Sequence, residues 1–202
     1  MVTEVCLIRH GETVDADSAR YKGHIEVPLS GHGMQQMRKL ADYLARNGRG
    51  KLKAVYSSCL GRAVKSAEII AGPHGIQPVV VEGLKERNFG AWEGMTFDEI
   101  RRTDPGAFKA WAEDPLRFSP PGGESTIDFS NRALKAFNAI VSAHPGDSIA
   151  VVAHGGINRV ILCHLLGIPL ENIFRIEQDF AALNIIEFWD YPVVKLMNFR
   201  VA

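Results

Sequence analysis

An apolar run passes directly into a charged tetrapeptide near the start of this chain: Val5-Cys6-Leu7-Ile8-Arg9-His10-Gly11-Glu12. Four consecutive apolar residues are typical of a strand that is buried on both faces, as in a parallel sheet. The predicted strand therefore ends at an imidazole that follows a guanidinium and precedes a glycine. A second apolar run, Val151-Val152-Ala153, ends in a similar way at His154-Gly155-Gly156. Two strands that both end at a histidine predict one site at the edge of a sheet.

Apolar runs and amphipathic patterns alternate along the rest of the chain. We predict strands at residues 4–9, 54–57, 79–82, 149–153, 184–189 and 193–199. Helical spacing predicts four helices with apolar stripes at 34–44, 60–70, 133–141 and 157–165. Asn47-Gly48 predicts the end of the first helix, and Ser125-Thr126-Ile127-Asp128 predicts a capping box for the third. The alternation predicts an α/β fold of three layers, with a mostly parallel central sheet, helices on both faces and a final hairpin.

Size and composition narrow the class of protein. The chain has 202 residues with 23 basic and 23 acidic side chains, so its net charge is zero. We expect a single domain over residues 1–202, in which 94–123 form short helices and a lid above the strand ends. Zero net charge disfavours a broad nucleic-acid or membrane surface. Three cysteines, and the lack of an apolar stretch long enough to span a bilayer, predict a reduced, cytoplasmic protein.

Basic side chains gather at the predicted strand ends. His10 follows the first strand, Arg62 lies just beyond the second, and His154 follows the fourth. In open sheets of this type, ligands bind outside the carboxyl ends of the strands. Arg9 and Arg62 can each bind two phosphate oxygens, and the neighbouring glycines let a phosphate approach the backbone. Each residue alone would often be structural, but together they predict a site for a dianionic ligand.

Longer motifs occur in one order along the chain. They are LIRHGET (7–13), YKGH (21–24), SSCLGRA (57–63), LKERNFG (84–90), WEG (92–94), PGGES (121–125) and VAHGG (152–156). Over essentially the whole chain they resemble the histidine phosphatase (phosphoglycerate mutase-like) superfamily, in its phosphatase branch.

The resemblance implies a phosphohistidine mechanism that needs no metal or other cofactor. His10 would attack phosphorus, while Arg9, Arg62 and His154 would hold the phosphoryl oxygens. Glu86 would protonate the leaving oxygen and then help to activate water. Five further residues are implied as substrate contacts: Gly11, Tyr21, Gly23, His24 and Gly155.

The chain departs from the family pattern at three places. Ala16 stands where asparagine is usual, so one hydrogen bond to the phosphoryl group is expected to be missing. A neighbour in a shifted loop could compensate: Asp15, Asp17 or Ser18. The departures at Cys59 and Lys65-Ser66 are expected to affect packing alone.

A narrower resemblance concerns the substrate. Motifs at 21–24, 108–111, 174–178 and 196–198 resemble alpha-ribazole-5'-phosphate phosphatases of cobalamin assembly, so alpha-ribazole 5'-phosphate is the preferred small-molecule substrate. Aromatic side chains of the lid could stack on its base, although ordinary packing explains them equally well: Phe97, Phe108, Trp111 and Phe118.

Other activities stay open at this point. The pattern also fits a broad-specificity phosphatase, a phosphoglycerate mutase or a sugar bisphosphate phosphatase. The resemblance implies that mutases are longer chains whose C-terminal tail shields the phosphoenzyme from water. This sequence ends soon after its last predicted strand, which favours hydrolysis. An inactive phospho-ligand-binding module is the alternative of a different class, disfavoured because all five chemical residues are present. A metallohydrolase is disfavoured because the histidines lack a carboxylate cluster at ligand spacing. The oligomeric state is open and compatible with a homodimer.

Overall fold

The computed structural model describes residues 1–46 and 51–201, so the predicted helix stop at Asn47-Gly48 lies outside the described residues. Its sheet contains six strands: β1 (Thr3–Arg9), β2 (Ala54–Ser57), β3 (Val79–Val80), β4 (Ser148–Ala153), β5 (Leu183–Phe188) and β6 (Pro192–Phe199). Their order is β3-β2-β4-β1-β5-β6. The first four are parallel, whereas β5 and β6 run antiparallel to their neighbours. The prediction of a mostly parallel sheet with a final hairpin is confirmed.

Helices cover both faces of this sheet. They are α1 (Gly31–Arg46), α2 (Gly61–Ala71), α3 (Phe97–Thr103), α4 (Pro105–Glu113), α5 (Thr126–Ser142) and α6 (Gly155–Leu166). Alternate residues of β1 belong to two separate cores. Val5 and Leu7 pack with α5 and α6, and Cys6 and Ile8 pack with α1 and α2. Because successive side chains of a strand point to opposite faces, the three-layer prediction is confirmed.

Two local predictions were wrong in detail. The strand predicted at 79–82 is only Val79–Val80, whose side chains are exposed, and a 3-10 turn follows at Glu82–Leu84. β3 is an edge strand, so it pairs on one side only and buries little.

The predicted capping box at the start of α5 is only half formed. The Ser125 hydroxyl accepts from the Asp128 backbone N–H, but the Asp128 carboxylate accepts from that hydroxyl instead of from the Ser125 backbone. Aspartate is one methylene shorter than the glutamate of a full box. A complete box joins Thr96 and Glu99 at the start of α3.

Residues 94–123 form α3, α4 and the loop that follows, in agreement with the short helices expected there. Across the described residues, none of the helices combines the length and the hydropathy that crossing a membrane requires.

Candidate active site

The sheet register brings the two histidines together. β1 and β4 are parallel neighbours in which Arg9 pairs with Ala153, so His10 and His154 leave the sheet side by side. Their ring centroids are 5.1 Å apart. His10 is 5% exposed and His154 is fully buried. The structure therefore brings the two histidines together at one edge of the sheet.

The backbone determines which nitrogen of His10 is free. Nδ1 lies 2.7 Å from the carbonyl oxygen of Gly11. A carbonyl can only accept, so Nδ1 carries the proton and Nε2 keeps its lone pair. Burial holds the pKa of His10 well below its usual value, and the charges of Arg9 and Arg62 lower the pKa further. His10 is thus a neutral imidazole with a free Nε2, the form that can act as a nucleophile.

His10 lies on the wall of a cavity of about 330 Å³. Of the described residues that line this cavity, the only acidic one is Glu86. Six basic residues share the wall with it: Arg9, Arg20, Lys22, Arg62, Arg87 and Arg159. We call this space the cationic cavity. Its excess of positive charge suits an anionic ligand.

Both predicted phosphate-binding arginines are held in place by carbonyl groups. Arg62, 2% exposed in the first turn of α2, donates to the carbonyl oxygens of Gly23 (2.7 Å) and Ile25 (2.8 Å). Arg9 donates to the carbonyl oxygen of Gln178, and its guanidinium carbon lies 3.8 Å from the ring centre of Phe180. Burial lowers the pKa of Arg9 to about 10, against an opposing effect of Glu86. Both side chains remain cationic near neutral pH.

Glu86 reaches the same cavity from the loop after β3. Its two carboxylate oxygens accept from the backbone N–H groups of Arg87 (2.9 Å) and Gly156 (3.0 Å). A Cβ at position 156 would collide with the Glu86 carboxylate. Glycine at this position therefore lets the carboxylate approach the first turn of α6.

His154 lies beside His10 and does not line the cavity. Its Nε2 is 2.7 Å from the hydroxyl oxygen of Ser58. The same oxygen accepts from the Leu60 backbone N–H, so the Ser58 O–H is available to donate to Nε2. Among the described residues, its buried Nδ1 has no hydrogen-bond partner. Burial holds the pKa of His154 well below its usual value, and His10 is the next largest cause.

The five residues implied as substrate contacts divide into two groups. Tyr21 and Gly23 line the cationic cavity, but Gly11, His24 and Gly155 do not. The buried Gly11 packs so closely on the backbone of Gly33 that a Cβ would meet its carbonyl oxygen at 2.5 Å.

The other two also occupy supporting positions. The His24 Nε2 is 2.8 Å from the carbonyl oxygen of Glu86. Gly155 begins α6 beside the guanidinium groups of Arg9 and Arg159. Gly11, His24 and Gly155 therefore lie behind the residues that line the cavity, and they contact and orient those residues.

A second cavity, of about 340 Å³, adjoins the first. Residues of the 94–123 segment supply three of the seven described aromatic side chains that line it: Phe97, Phe108 and Trp111. Their rings touch, with the Phe97 centroid 5.0 Å from Phe108 and 6.0 Å from Trp111. Tyr21 and Phe174 line both cavities, so the two spaces meet. We call this second space the aromatic cavity.

Comparison with known proteins agrees with this geometry. The family model of the histidine phosphatase superfamily (branch 1) matches residues 5–199. The chain belongs to the histidine phosphatase superfamily.

Individual relatives point to the same superfamily. A bifunctional protein of Mycobacterium tuberculosis is 36% identical over 187 residues, which cover 93% of this chain and 50% of the relative. A metal-independent phosphoserine phosphatase of Arabidopsis thaliana is 37% identical over 79% of this chain and 67% of its own length. The chain thus spans about half the length of the first of these curated relatives.

Among solved structures, the alpha-ribazole phosphatase of Shigella flexneri has a TM-score of 0.87 and 27% sequence identity. The match covers 98% of this chain and 97% of that one. The phosphoglycerate mutase-like fold predicted from the sequence is therefore confirmed.

One expectation about this site was wrong. Ser66 was expected to affect packing alone, yet its buried hydroxyl accepts from the Gly11 backbone N–H (3.2 Å) and donates to the Arg62 carbonyl oxygen (2.7 Å). Ser66 lies one helical turn after Arg62, which directs it towards the loop that carries His10. It links two parts of the site.

Sequence reasoning also missed three residues of this site. Ser58 holds His154, Phe180 stacks on Arg9, and Arg159 lines the cationic cavity. Arg159 could have been found from its position one helical turn after Gly155. Phe180 could not be found in this way, because it follows an irregular segment with no helical spacing. It contacts Arg9 only in the folded protein. Within the described residues, no group of three or more metal-ligating side chains occurs.

Proposed function

We propose that this protein is a phosphoric monoester hydrolase whose reaction passes through a phosphohistidine at His10, with residues 1–202 acting as one domain. One observation carries the proposal: a neutral imidazole with a free Nε2 lies on the wall of a cationic cavity. Buried arginines supply the positive charge that a metal ion supplies in other phosphatases.

Each polar group then has a part in the reaction. The Nε2 of His10 attacks phosphorus and forms the N–P bond as the ester P–O bond breaks. Glu86, in its protonated form, gives its proton to the leaving oxygen. Water then attacks the phosphorus and Glu86 takes a proton from that water. The N–P bond breaks as the new P–O bond forms, which restores the lone pair of the His10 Nε2 and releases inorganic phosphate.

The cations support the phosphoryl group throughout these steps. Arg9 and Arg62 hold its oxygens with N–H groups that the carbonyl contacts leave available. In this proposal His154, whose ring packs against that of His10, donates to a phosphoryl oxygen from its buried Nδ1, which has no partner among the described residues. The carbonyl contacts hold both arginines on the cavity wall that His10 shares, which supports this role.

The preferred substrate is alpha-ribazole 5'-phosphate. The aromatic cavity adjoins the cationic one and has the size and the lining to take the flat base of this substrate. In this proposal residues 94–123 act as a lid over the bound base. Likeness to the Shigella flexneri phosphatase supports the same substrate.

A broad-specificity phosphatase is the second candidate. Phosphoserine is a small substrate that would leave most of the aromatic cavity unfilled, although the Arabidopsis relative is named for it. Phosphoglycerate mutase, sugar bisphosphate phosphatase and inactive binding module remain alternatives that an assay separates.

Trapping the intermediate tests the mechanism. We would mix the enzyme with ³²P-labelled ester, denature it in alkali, and look for acid-labile label on His10. A His10→Ala variant is the control and should take up none. Acid-stable label, or none at all, would overturn the phosphohistidine proposal.

A substrate screen tests the specificity. It would compare alpha-ribazole 5'-phosphate with phosphoserine and measure mutase turnover on 3-phosphoglycerate. We expect phosphate release to be fastest from alpha-ribazole 5'-phosphate; equal rates would favour the broad-specificity alternative.

A further inference from the structure

One basic side chain on the cationic cavity binds the loop that forms part of its wall. The Lys22 ammonium lies 3.0 Å from the Thr13 hydroxyl oxygen, 3.0 Å from the Val14 carbonyl oxygen and 3.1 Å from the Asp15 carbonyl oxygen. An ammonium has three N–H donors, so these three oxygens take one each. Lys22 thus ties together the residues that directly follow the His10 motif.

That loop is part of the phosphate-facing wall. Thr13 and Ala16 both line the cationic cavity. Between them, Asp15 adopts a left-handed backbone conformation with φ of 56°, which is unfavourable for a residue other than glycine. Such a conformation persists only where surrounding contacts hold it. Two of the three Lys22 contacts, to Val14 and Asp15, are at this bend.

Charge is the second contribution of Lys22. The Ala16 side chain has no donor, so any attraction for an anion at this part of the wall comes from a neighbour. Lys22 lines the same cavity, where burial lowers its pKa, the Asp15 carboxylate opposes this effect, and the charges of Arg62 and Arg9 lower the pKa further. Its own charge is among the causes that lower the pKa of His10. These mutual effects place the ammonium within electrostatic range of the nucleophile.

We propose that Lys22 is a further positioning residue of this site. It holds the loop at residues 13–16 against the cavity, and its positive charge strengthens binding of the phosphoryl group that His10 receives. The proposal rests on the proposed phosphatase function only in taking the ligand to be a phosphoryl group.

Three substitutions separate the charge from the hydrogen bonds. Lys22→Arg keeps both, Lys22→Gln keeps donors without charge, and Lys22→Met keeps the length of the chain without either. Lys65→Met is the matched control, because Lys65 is an exposed lysine paired with Glu68 that does not line the cavity.

The first readout is affinity for inorganic phosphate and vanadate, measured by calorimetry, together with kcat/KM for phosphate esters. We expect Lys22→Met to lose at least about tenfold in each, the scale for removing one charge near a bound phosphoryl group. Lys22→Gln should fall between Lys22→Met and the wild type. Lys22→Arg and Lys65→Met should stay within about twofold of the wild type.

The second readout is the pH profile of kcat/KM. Removing the Lys22 charge raises the pKa of His10, so the acidic limb should move to higher pH in Lys22→Met and Lys22→Gln but not in Lys22→Arg. A purely structural effect would lower the whole profile without moving this limb. If Lys22→Met does not fold, the comparison of Lys22→Gln with Lys22→Arg still makes the test.

The outcomes distinguish this proposal from the function it rests on. If the wild type binds phosphate but releases none from any ester, the phosphatase proposal fails while the affinity comparison still tests Lys22. If the enzyme is active and Lys22→Met keeps wild-type phosphate affinity and an unmoved acidic limb, the Lys22 proposal is overturned and the phosphohistidine proposal stands.

Discussion

Single side chains of this site are oriented mainly by backbone carbonyl groups. The Gly11 carbonyl sets the tautomer of His10, those of Gly23 and Ile25 hold Arg62, and that of Gln178 holds Arg9. Carbonyl groups add no negative charge, so the arginines stay available for an anion. This explains how several cations can be buried together before a ligand is bound.

Removal of the nucleophile is the first prediction at this scale. His10→Ala should reduce phosphate release by at least about 10⁴-fold, because no other described side chain on the cavity wall presents an imidazole nitrogen. Circular dichroism should show an intact fold. Turnover within about tenfold of the wild type would exclude nucleophilic catalysis by His10.

Glu86 gives the second prediction. Glu86→Gln should slow alkyl phosphate esters by about 10² to 10⁴-fold, since their leaving oxygen needs a proton. The loss should be much smaller with p-nitrophenyl phosphate, whose leaving group is stable as an anion. A loss of the same size on both esters would remove Glu86 from the role of proton donor.

The residue types of the site could be predicted because they are adjacent in short motifs. Arg9 and His10 belong to one motif, and His154 directly follows an apolar run that predicts a strand. Ser66 was missed although it lies one helical turn after Arg62, and Phe180 could not be predicted as part of the site. Their contacts with Gly11 and Arg9 exist only after distant segments have packed together.

Secondary-structure elements were predicted best where they are buried. The central strands β1 and β4 are apolar on both faces, and their residues are uniformly buried except near the ends. β3 was predicted too long because the length of an exposed edge strand is set by its pairing with one neighbouring strand and not by its own apolar residues. Short helices were expected within 94–123, but the bounds of α3 and α4 were not predicted. These helices are defined by their capping residues and not by an apolar stripe.

A substitution of Trp111 tests whether the segment that contains α3 and α4 acts as a lid over the substrate. Trp111→Ala should lower kcat/KM for alpha-ribazole 5'-phosphate by about 10- to 200-fold, because the base of the substrate loses an apolar contact. Phosphoserine should be affected by less than about threefold. Trp189→Ala is the control, since that ring is exposed at the β5–β6 turn. Parallel losses on both substrates would contradict the lid assignment.

At the scale of the whole molecule, the two buried histidines make folding sensitive to acid. The pKa of His10 and of His154 is depressed in the folded state, so below about pH 6.5 the unfolded chain binds protons that the folded chain does not. As the pH is lowered below 6.5, the free energy of unfolding should therefore decrease by up to about 1.4 kcal/mol per pH unit for each histidine. Above pH 6.5 this contribution is fully present.

Urea unfolding at pH 7.0 and pH 5.5 measures this effect. His10→Asn should reduce the difference between the two pH values, because one of the two histidines is then absent. An unfolding free energy that is the same at both pH values would show that the imidazoles are not held neutral by the fold.

The pairing of Arg9 with Ala153 has a consequence for how the chain can vary. A single residue inserted within β1 or β4 would turn the following histidine to the opposite side of the sheet, because alternate residues face opposite ways. Extra residues at the other end of the same strands, near the Asp147 carbonyl that accepts from the Glu4 N–H, would leave both imidazoles where they are. Length changes should therefore be tolerated at one end of the sheet and eliminate activity at the other.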